Sequence, residues 1–221
     1  KAARVLPLVR DSGAPQALYA LALEQLGGSG NREPFAALAR RLPLAALLER
    51  LEGSSAPRAF TAAAELKGAA SALVLRRAGL RPMAAPSKRL EAMGALVAEW
   101  WPSADAAAWP ARLPADGDIL HPRPAGIGRA SAIELALNAI LPVAFACGEW
   151  SEEEVESAWL ALPAPGTYGK LRRLEGWLTA STGEAATHPG PFTSAARLQG
   201  GIALHTDYCT KGACGRCPLS D

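Results

Sequence analysis

The stretch "AIELALNAILPVAFACG", residues 132–148, is the longest apolar run in the chain, and its reading decides the fold. It carries Glu134, Asn138 and Pro142. A membrane-spanning helix wants about 20 residues with almost no charge or amide. This run is shorter and more polar than that, so it reads as a helix buried inside a soluble bundle. Proline cannot donate to the carbonyl four residues back, so Pro142 frees the Asn138 carbonyl and predicts a kink. A freed carbonyl beside an amide side chain offers a place for a ligand, a water or a neighbouring helix, and of these the neighbouring helix or a water is favoured.

Working outward, the same helical period recurs. "APQALYALALEQLGG" (14–28) places Leu18, Leu21 and Leu26 on one face and stops at Gly27-Gly28. "NREPFAALARRL" (31–42) restarts with Asn31 as a candidate N-cap and Pro34 within the first turn. Pro43 separates it from "LAALLERLEG". A long helix is predicted over about 59–78, ending at Gly79, followed by a rigid "RPMAAP" connector (81–86) and a helix over 87–101. Residues 102–128 gather Pro102, Pro110, Pro114, Pro122 and Pro124 and read as a linker or long loop, with a short helix in "SADAAAWPARL". Beyond it come the buried run, an acidic helix (151–162), a helix at about 168–181 and a last helix from about Pro191 to Tyr208. No strand stands out.

The expected fold is all-α, an irregular bundle of about eight to ten helices with a cysteine-rich C-terminal tail. The expected division is 1–101, a Pro-rich connector 102–128, and 129–221, or one continuous domain. The composition agrees. Of 221 residues, 49% are hydrophobic, dominated by Ala and Leu, and 20% are charged, which favours helix over strand. Net charge is only +2, too mild to imply nucleic acid without clustering. There is no start methionine, and "KAARVLPLVRDSG" has no signal-peptide core. The chain is expected to be the later part of a longer, cytoplasmic protein, or a processed product, with no membrane partner.

The one sharp chemical signal is the tail, "HTDYCTKGACGRCPLSD" (205–221). Cys214-Gly-Arg-Cys217 lets two thiolates grip one ion, and Cys209 extends the pattern to C-x4-C-x2-C. No cysteine follows Cys217. The fourth ligand is His205, one helical turn before Cys209, or Cys147 brought in by folding. Three cysteines with a histidine suit zinc; four cysteines suit zinc or an iron–sulfur cluster. The site would be structural, because no water-activating base stands beside it. The plain alternative is a set of free thiols or a Cys214–Cys217 disulfide.

The second signal is charge. Arg76, Arg77, Arg81, Lys88 and Arg89 fall close together without an intervening acid, and phosphate backbones reward such clusters through counterion release. A solvated helix face is the plain alternative, with the acidic block Glu149, Glu152, Glu153, Glu154 and Glu156 as a neutralising partner. Catalysis finds little support. His121, His188 and His205 stand in Pro-rich loops or beside the cysteines, and no nucleophile elbow or phosphate loop appears. The tryptophans read as packing residues, with Trp100-Trp101 the one pair that could offer a stacking face.

Taken together, "LYALALEQLGGSGNREPFAALARRLPL", "GLRPMAAPSKRLEAMGALV", "GIGRASAIELALNAILPVAFACG" and "RLQGGIALHTDYCTKGACGRCPL" resemble the C-terminal half of a bacterial family without established activity. The N-terminal half of that family is similar to PD-(D/E)xK nucleases. Arg81, Pro82, Pro86 and Arg89 match its "RP-x-N-x-P-x-x-R" pattern, with Ala84 in place of the Asn. Asn138, Pro142, Gln199, Gly200, Cys209, Cys214 and Cys217 also match, while Cys147 stands where the family has an aromatic residue. The tail is also similar in local form to the iron–sulfur loop closing helix-hairpin-helix DNA glycosylases, with a shorter first gap and no last cysteine. The resemblance itself implies little about activity. The preferred expectation is a non-catalytic helical region of a nuclease-like bacterial protein, with its tail pinned by a metal, the Arg76–Arg89 face contacting nucleic acid and a nuclease-like domain of the same protein as a further partner. The competing expectation is a protein-interaction or scaffolding bundle.

Overall fold

The computed structural model describes residues 2–80, 82–103, 126–166, 168–181, 190–213 and 215–220. Among them the chain forms ten helices and no strand, and it is 73% helical. The all-α expectation therefore holds. The helices are α1 (Ala2–Ser12), α2 (Ala14–Leu26), α3 (Gly28–Arg41), α4 (Leu44–Glu52), α5 (Arg58–Ala70) and α6 (Pro86–Trp100). After the 104–125 segment of the expected connector, which lies outside the described residues, come α7 (Arg129–Cys147), α8 (Glu152–Ala161), α9 (Arg172–Ser181) and α10 (Ala195–Asp207).

The chain gathers into two compact units, Lys1–Val155 and Glu156–Asp221, divided within α8. The helix after the connector thus belongs with the N-terminal helices. Its composition explains why: α7 is apolar on almost every face, and a helix of that kind needs neighbours all round. Leu135, Ala136, Leu137, Ala139, Ile140, Leu141, Val143 and Ala144 are all buried. In the first unit α2 packs against α1, α3, α4, α6 and α7, with Ala17, Leu18, Tyr19, Ala22 and Leu23 fully enclosed. The Tyr19 hydroxyl donates to the Leu42 carbonyl at 2.9 Å, so even its polar tip is satisfied. Trp100 and Trp101 are buried and meet edge-to-face at 5.7 Å, so they form core and present no stacking surface.

The most intimate pair is α5 with α6. Gly94 makes it possible: a Cβ there would lie 2.7 Å from the Ala59 carbonyl oxygen and the Ala63 nitrogen. In the second unit Leu171, Leu174 and Leu198 form the buried centre, flanked by Tyr168, Phe192, Ile202 and Leu204.

Three boundaries differ from the sequence reading. Helix α5 ends at Ala70 instead of about 78, because Ser71 turns back onto the Gly68 carbonyl through both its N–H and its hydroxyl. Asn31 is no N-cap: α3 begins at Gly28 and breaks at Asn31, whose side chain is used elsewhere. The last helix begins at Ala195, since Ser194 caps it by accepting from the Arg197 N–H. The preceding residues are extended, pairing the Leu162 carbonyl with the Ala195 N–H and the Ala164 N–H with the Thr193 carbonyl.

Candidate functional site

The basic cluster spans the segment joining α5 to α6 and the first turn of α6, and its foundation is a residue that the sequence reading assigned another role. Asn31 is the one buried polar residue among the described residues, 2% exposed. Its Nδ2 donates to the Arg76 carbonyl at 3.0 Å and its Oδ1 accepts from the Arg76 N–H at 2.7 Å. A buried amide demands partners, and the backbone of Arg76 supplies both. Gly30 lies beneath the same arginine, where a Cβ would stand 3.1 Å from Arg76 Cδ. The sequence signal that was available, an amide beside two glycines, also fits a cap, which is why tertiary use was missed.

From this anchor Arg76 and Arg77 project into solvent. Neither pairs with a carboxylate among the described residues; Arg76 Nε donates to the Ala78 carbonyl at 3.4 Å. Arg81 lies outside the described residues. The following Pro82–Ala84 turn and the buried Pro86 lead into α6, where the sequence places the rigid RPMAAP connector.

Lys88 is exposed but not free. Glu91 bridges it and Lys67, each at 2.8 Å, and the hydrogen bonds from Lys67 and then Lys88 hold the Glu91 carboxyl down at about 2. Arg89 is half-buried, and its Nη1 donates to Ser131 Oγ at 3.0 Å, at the start of α7. Burial lowers its pKa, though a guanidinium stays charged. No carboxylate among the described residues meets it. Gly128, just before α7, has no capping side chain, and Arg129 follows it. The expected neutralisation by Glu149–Glu156 is not made among the described residues. Glu154 instead turns to its own helix, accepting from the Ser151 N–H at 2.7 Å while Ser151 Oγ accepts from the Glu154 N–H at 3.2 Å. This reciprocal pair closes the N-terminus of α8.

The tail extends α10. After Asp207 a short turn runs over Cys209–Lys211 and closes at Gly212, φ +65°. The Ala213 N–H returns to the Tyr208 carbonyl at 3.0 Å, and Gly215, φ +87°, allows the next reversal. The Ser220 hydroxyl lies 3.2 Å from Cys217 Sγ. Cys209 and Cys217 are half-buried free thiols. Among the described residues no three His, Cys, Asp or Glu side chains converge on one point, so His205, Cys209 and Cys217 do not close a site by themselves. Cys214, the member between them, lies outside the described residues. Cys147 belongs to the first unit, where its thiol lies 3.5 Å from the Ala144 carbonyl.

Asn138 and Pro142 produce a wide turn over Ala136–Ile140, in which the Leu141 N–H reaches back five residues to the Ala136 carbonyl. The helix absorbs the proline by widening. Asn138 Nδ2 donates to the Glu134 carbonyl at 2.9 Å and to Glu134 Oε2 at 2.7 Å. The expected polar use of Asn138 is therefore local in part. A smaller basic group, Lys170, Arg172 and Arg173, is exposed on the second unit, with the Arg173 guanidinium 4.7 Å from the Trp177 ring centre.

What the fold and these sites define is a class: an all-helical protein with a basic inter-helix segment and a thiol-rich tail. No family model, curated protein or solved structure matches the chain.

Proposed function

We propose that this chain is a non-catalytic helical region of a nuclease-like bacterial protein, contacting nucleic acid through the 76–89 segment, with a structural zinc or iron–sulfur centre in its tail. The observation that carries the proposal is how the cations are paired. Arg4, Arg50, Arg58, Lys67 and Lys88 all have carboxylate partners, whereas Arg76, Arg77 and Arg89 have none among the described residues. Other exposed cations such as Arg40, Arg41 and Lys170 share that condition, but Arg76, with Arg77 beside it, combines it with an anchored backbone, and Arg89 with a side-chain partner on a second helix. Charges left without partners on an anchored backbone suit a ligand that brings its own regularly spaced negative charge. The segment is held by Asn31 on one side and by Ser131 on the other, so its cations are placed before a ligand arrives.

A metal in the tail would serve this role indirectly. Zinc or a cluster would supply a cross-link joining Cys209, Cys214 and Cys217, with His205 the nearest additional donor along the chain. It would stiffen the end of α10 and supply no reaction. The resemblance to a nuclease-associated family agrees with this division of labour.

The test is the affinity of the purified chain for a fluorescent DNA or RNA duplex across a range of salt. Substituting Arg76, Arg77 and Arg89 with Ala is expected to weaken binding, and to reduce the log–log salt slope by about 1 for each phosphate no longer neutralised. Affinity indifferent to these changes removes the nucleic-acid role. The second reading is a protein-docking bundle, favoured by Val74, 94% exposed within the same segment. That reading predicts that Val74→Ser, and not the arginine changes, abolishes partner capture.

A further inference from the structure

A half-open cleft of about 80 Å³ opens on the first unit where α1, α2, α3 and α7 meet. Arg4, Glu24, Gln25, Arg32 and Asn138 line it together with the apolar Val5 and Leu21. It lies at the widened turn of α7, and turns of this kind recur at functional sites because they redirect one side chain.

The hydrogen bonds of its polar residues leave a definite remainder. Asn138 Nδ2 faces two acceptors, the Glu134 carbonyl and carboxylate. Its amide orientation is therefore fixed by chemistry, and Oδ1 is left over as an acceptor. Gln25 repeats the pattern more loosely, its Nε2 donating to Glu134 Oε2 at 3.4 Å and its Oε1 remaining. On the other side, Arg4 spends one nitrogen on both oxygens of Glu24, at 2.8 and 2.7 Å. Its Nη1 and Nε donate to no described residue. Arg32 approaches Glu24 only to 4.0 Å and donates no hydrogen bond to a described residue. The cleft thus presents spare guanidinium donors beside spare amide acceptors, and Glu24, 16% exposed, stands between them.

We infer that this cleft binds a small zwitterion, an α-amino acid, with its carboxylate on Arg32 and Arg4 and its ammonium among Asn138 Oδ1, Gln25 Oε1 and Glu24. Charge argues for both ends. A bare anion meets Glu24, and a bare cation meets two guanidinium groups, whereas a dipolar ligand is matched at each end. Size agrees. A cavity needs about 10–15 Å³ to seat one water, so this one takes about five to eight heavy atoms, the size of glycine, alanine or serine. Val5 and Leu21 give a small side chain an apolar wall. This site is separate from the basic 76–89 segment and stands or falls without it.

The experiment is thermal unfolding of the whole chain with millimolar glycine, alanine or serine, beside acetate alone and ethylamine alone at equal ionic strength. A ligand that binds only the folded state raises Tm by mass action. The amino acids are expected to raise Tm and the two half-ligands to leave it in place. Arg32→Gln, at a half-exposed position, is expected to keep the unliganded Tm while weakening the apparent affinity about tenfold or more, as the loss of a charge-assisted pair should. Gln25→Leu tests the acceptor side in the same way. The inference is overturned if no amino acid raises Tm, if acetate or ethylamine alone does so equally, or if the rise survives Arg32→Gln.

Discussion

At the scale of single residues, close approach decides what can be changed. Gly94 and Gly201 are glycines because neighbours leave no room, and adjacent Gly200 is not. A Cβ on Gly201 would stand 2.5 Å from the Phe192 ring, while one on Gly200 would meet nothing within 4 Å. Gly200→Ala is therefore expected to stabilise α10 by about 0.5–1 kcal/mol, since alanine is the better helix former. Gly201→Ala is expected to destabilise by about 1–3 kcal/mol through overpacking, unless the ring swings aside. Gly94→Ala strikes backbone instead of a movable side chain, so its cost is expected at or above the upper end of that range. Urea denaturation of the three variants gives the order directly. Asn31→Ala removes both hydrogen bonds to Arg76, and a cost of about 1–3 kcal/mol is expected. If the 76–89 segment contacts nucleic acid, the same change weakens binding without removing any charge.

At the scale of elements, most helices were legible because their apolar residues recur at helical spacing and proline or glycine marks their ends. What escaped the sequence was local competition for backbone groups. The helical pattern of α5 continues past Ala70, yet Ser71 takes the Gly68 carbonyl and Asn31 takes the backbone of Arg76, so the chain leaves the helix. Pro142 announced a defect in α7, but its form depends on the Asn138 amide and its partner Glu134 in space. The amphipathic α1 carries Pro7 inside it, a residue that argues against a helix when only sequence is considered. The basic segment was legible as a cluster, and its partial neutralisation was not. Lys67 lies on α5, outside the run of charge, and only the packing of α5 on α6 brings it to Glu91. Because the Glu91 carboxyl is held at about 2 against an ordinary 4.5, its ion pairs are fully present above about pH 4.5 and are lost as pH falls toward 2. An NMR titration of the Glu91 carboxyl checks this sign. Both partners are solvent-exposed, so Glu91→Gln is expected to cost under about 1 kcal/mol. By releasing Lys67 and Lys88, it is expected to tighten nucleic-acid binding and steepen its salt dependence, a gain in function that a purely structural role for the segment does not predict.

At the scale of the whole molecule, the two units differ in how well they are supplied with core. The first encloses a continuous set of helices around α2. The second, shorter than about 70 residues, has a smaller described core, with Leu171, Leu174 and Leu198 at its centre and Leu162 and Ala195 also enclosed. Units of that size usually need a disulfide, a metal or a partner to hold them. Cys209 and Cys217 are free thiols, so if the proposed metal is bound at the tail it would act as such a staple. Thiolate ligation couples directly to folding. The expected outcome is unfolding in two steps, with the Glu156–Asp221 step losing stability on chelation or in Cys214→Ser and Cys217→Ser, and the Lys1–Val155 step unmoved. Elemental analysis of anaerobically prepared protein identifies the staple: brown material absorbing near about 400 nm holds a cluster, and colourless material with stoichiometric zinc holds the simpler site. Absence of both metals, together with a second unit indifferent to chelators and to the cysteine changes, would mean that its few leucines suffice and that the tail thiols hold nothing.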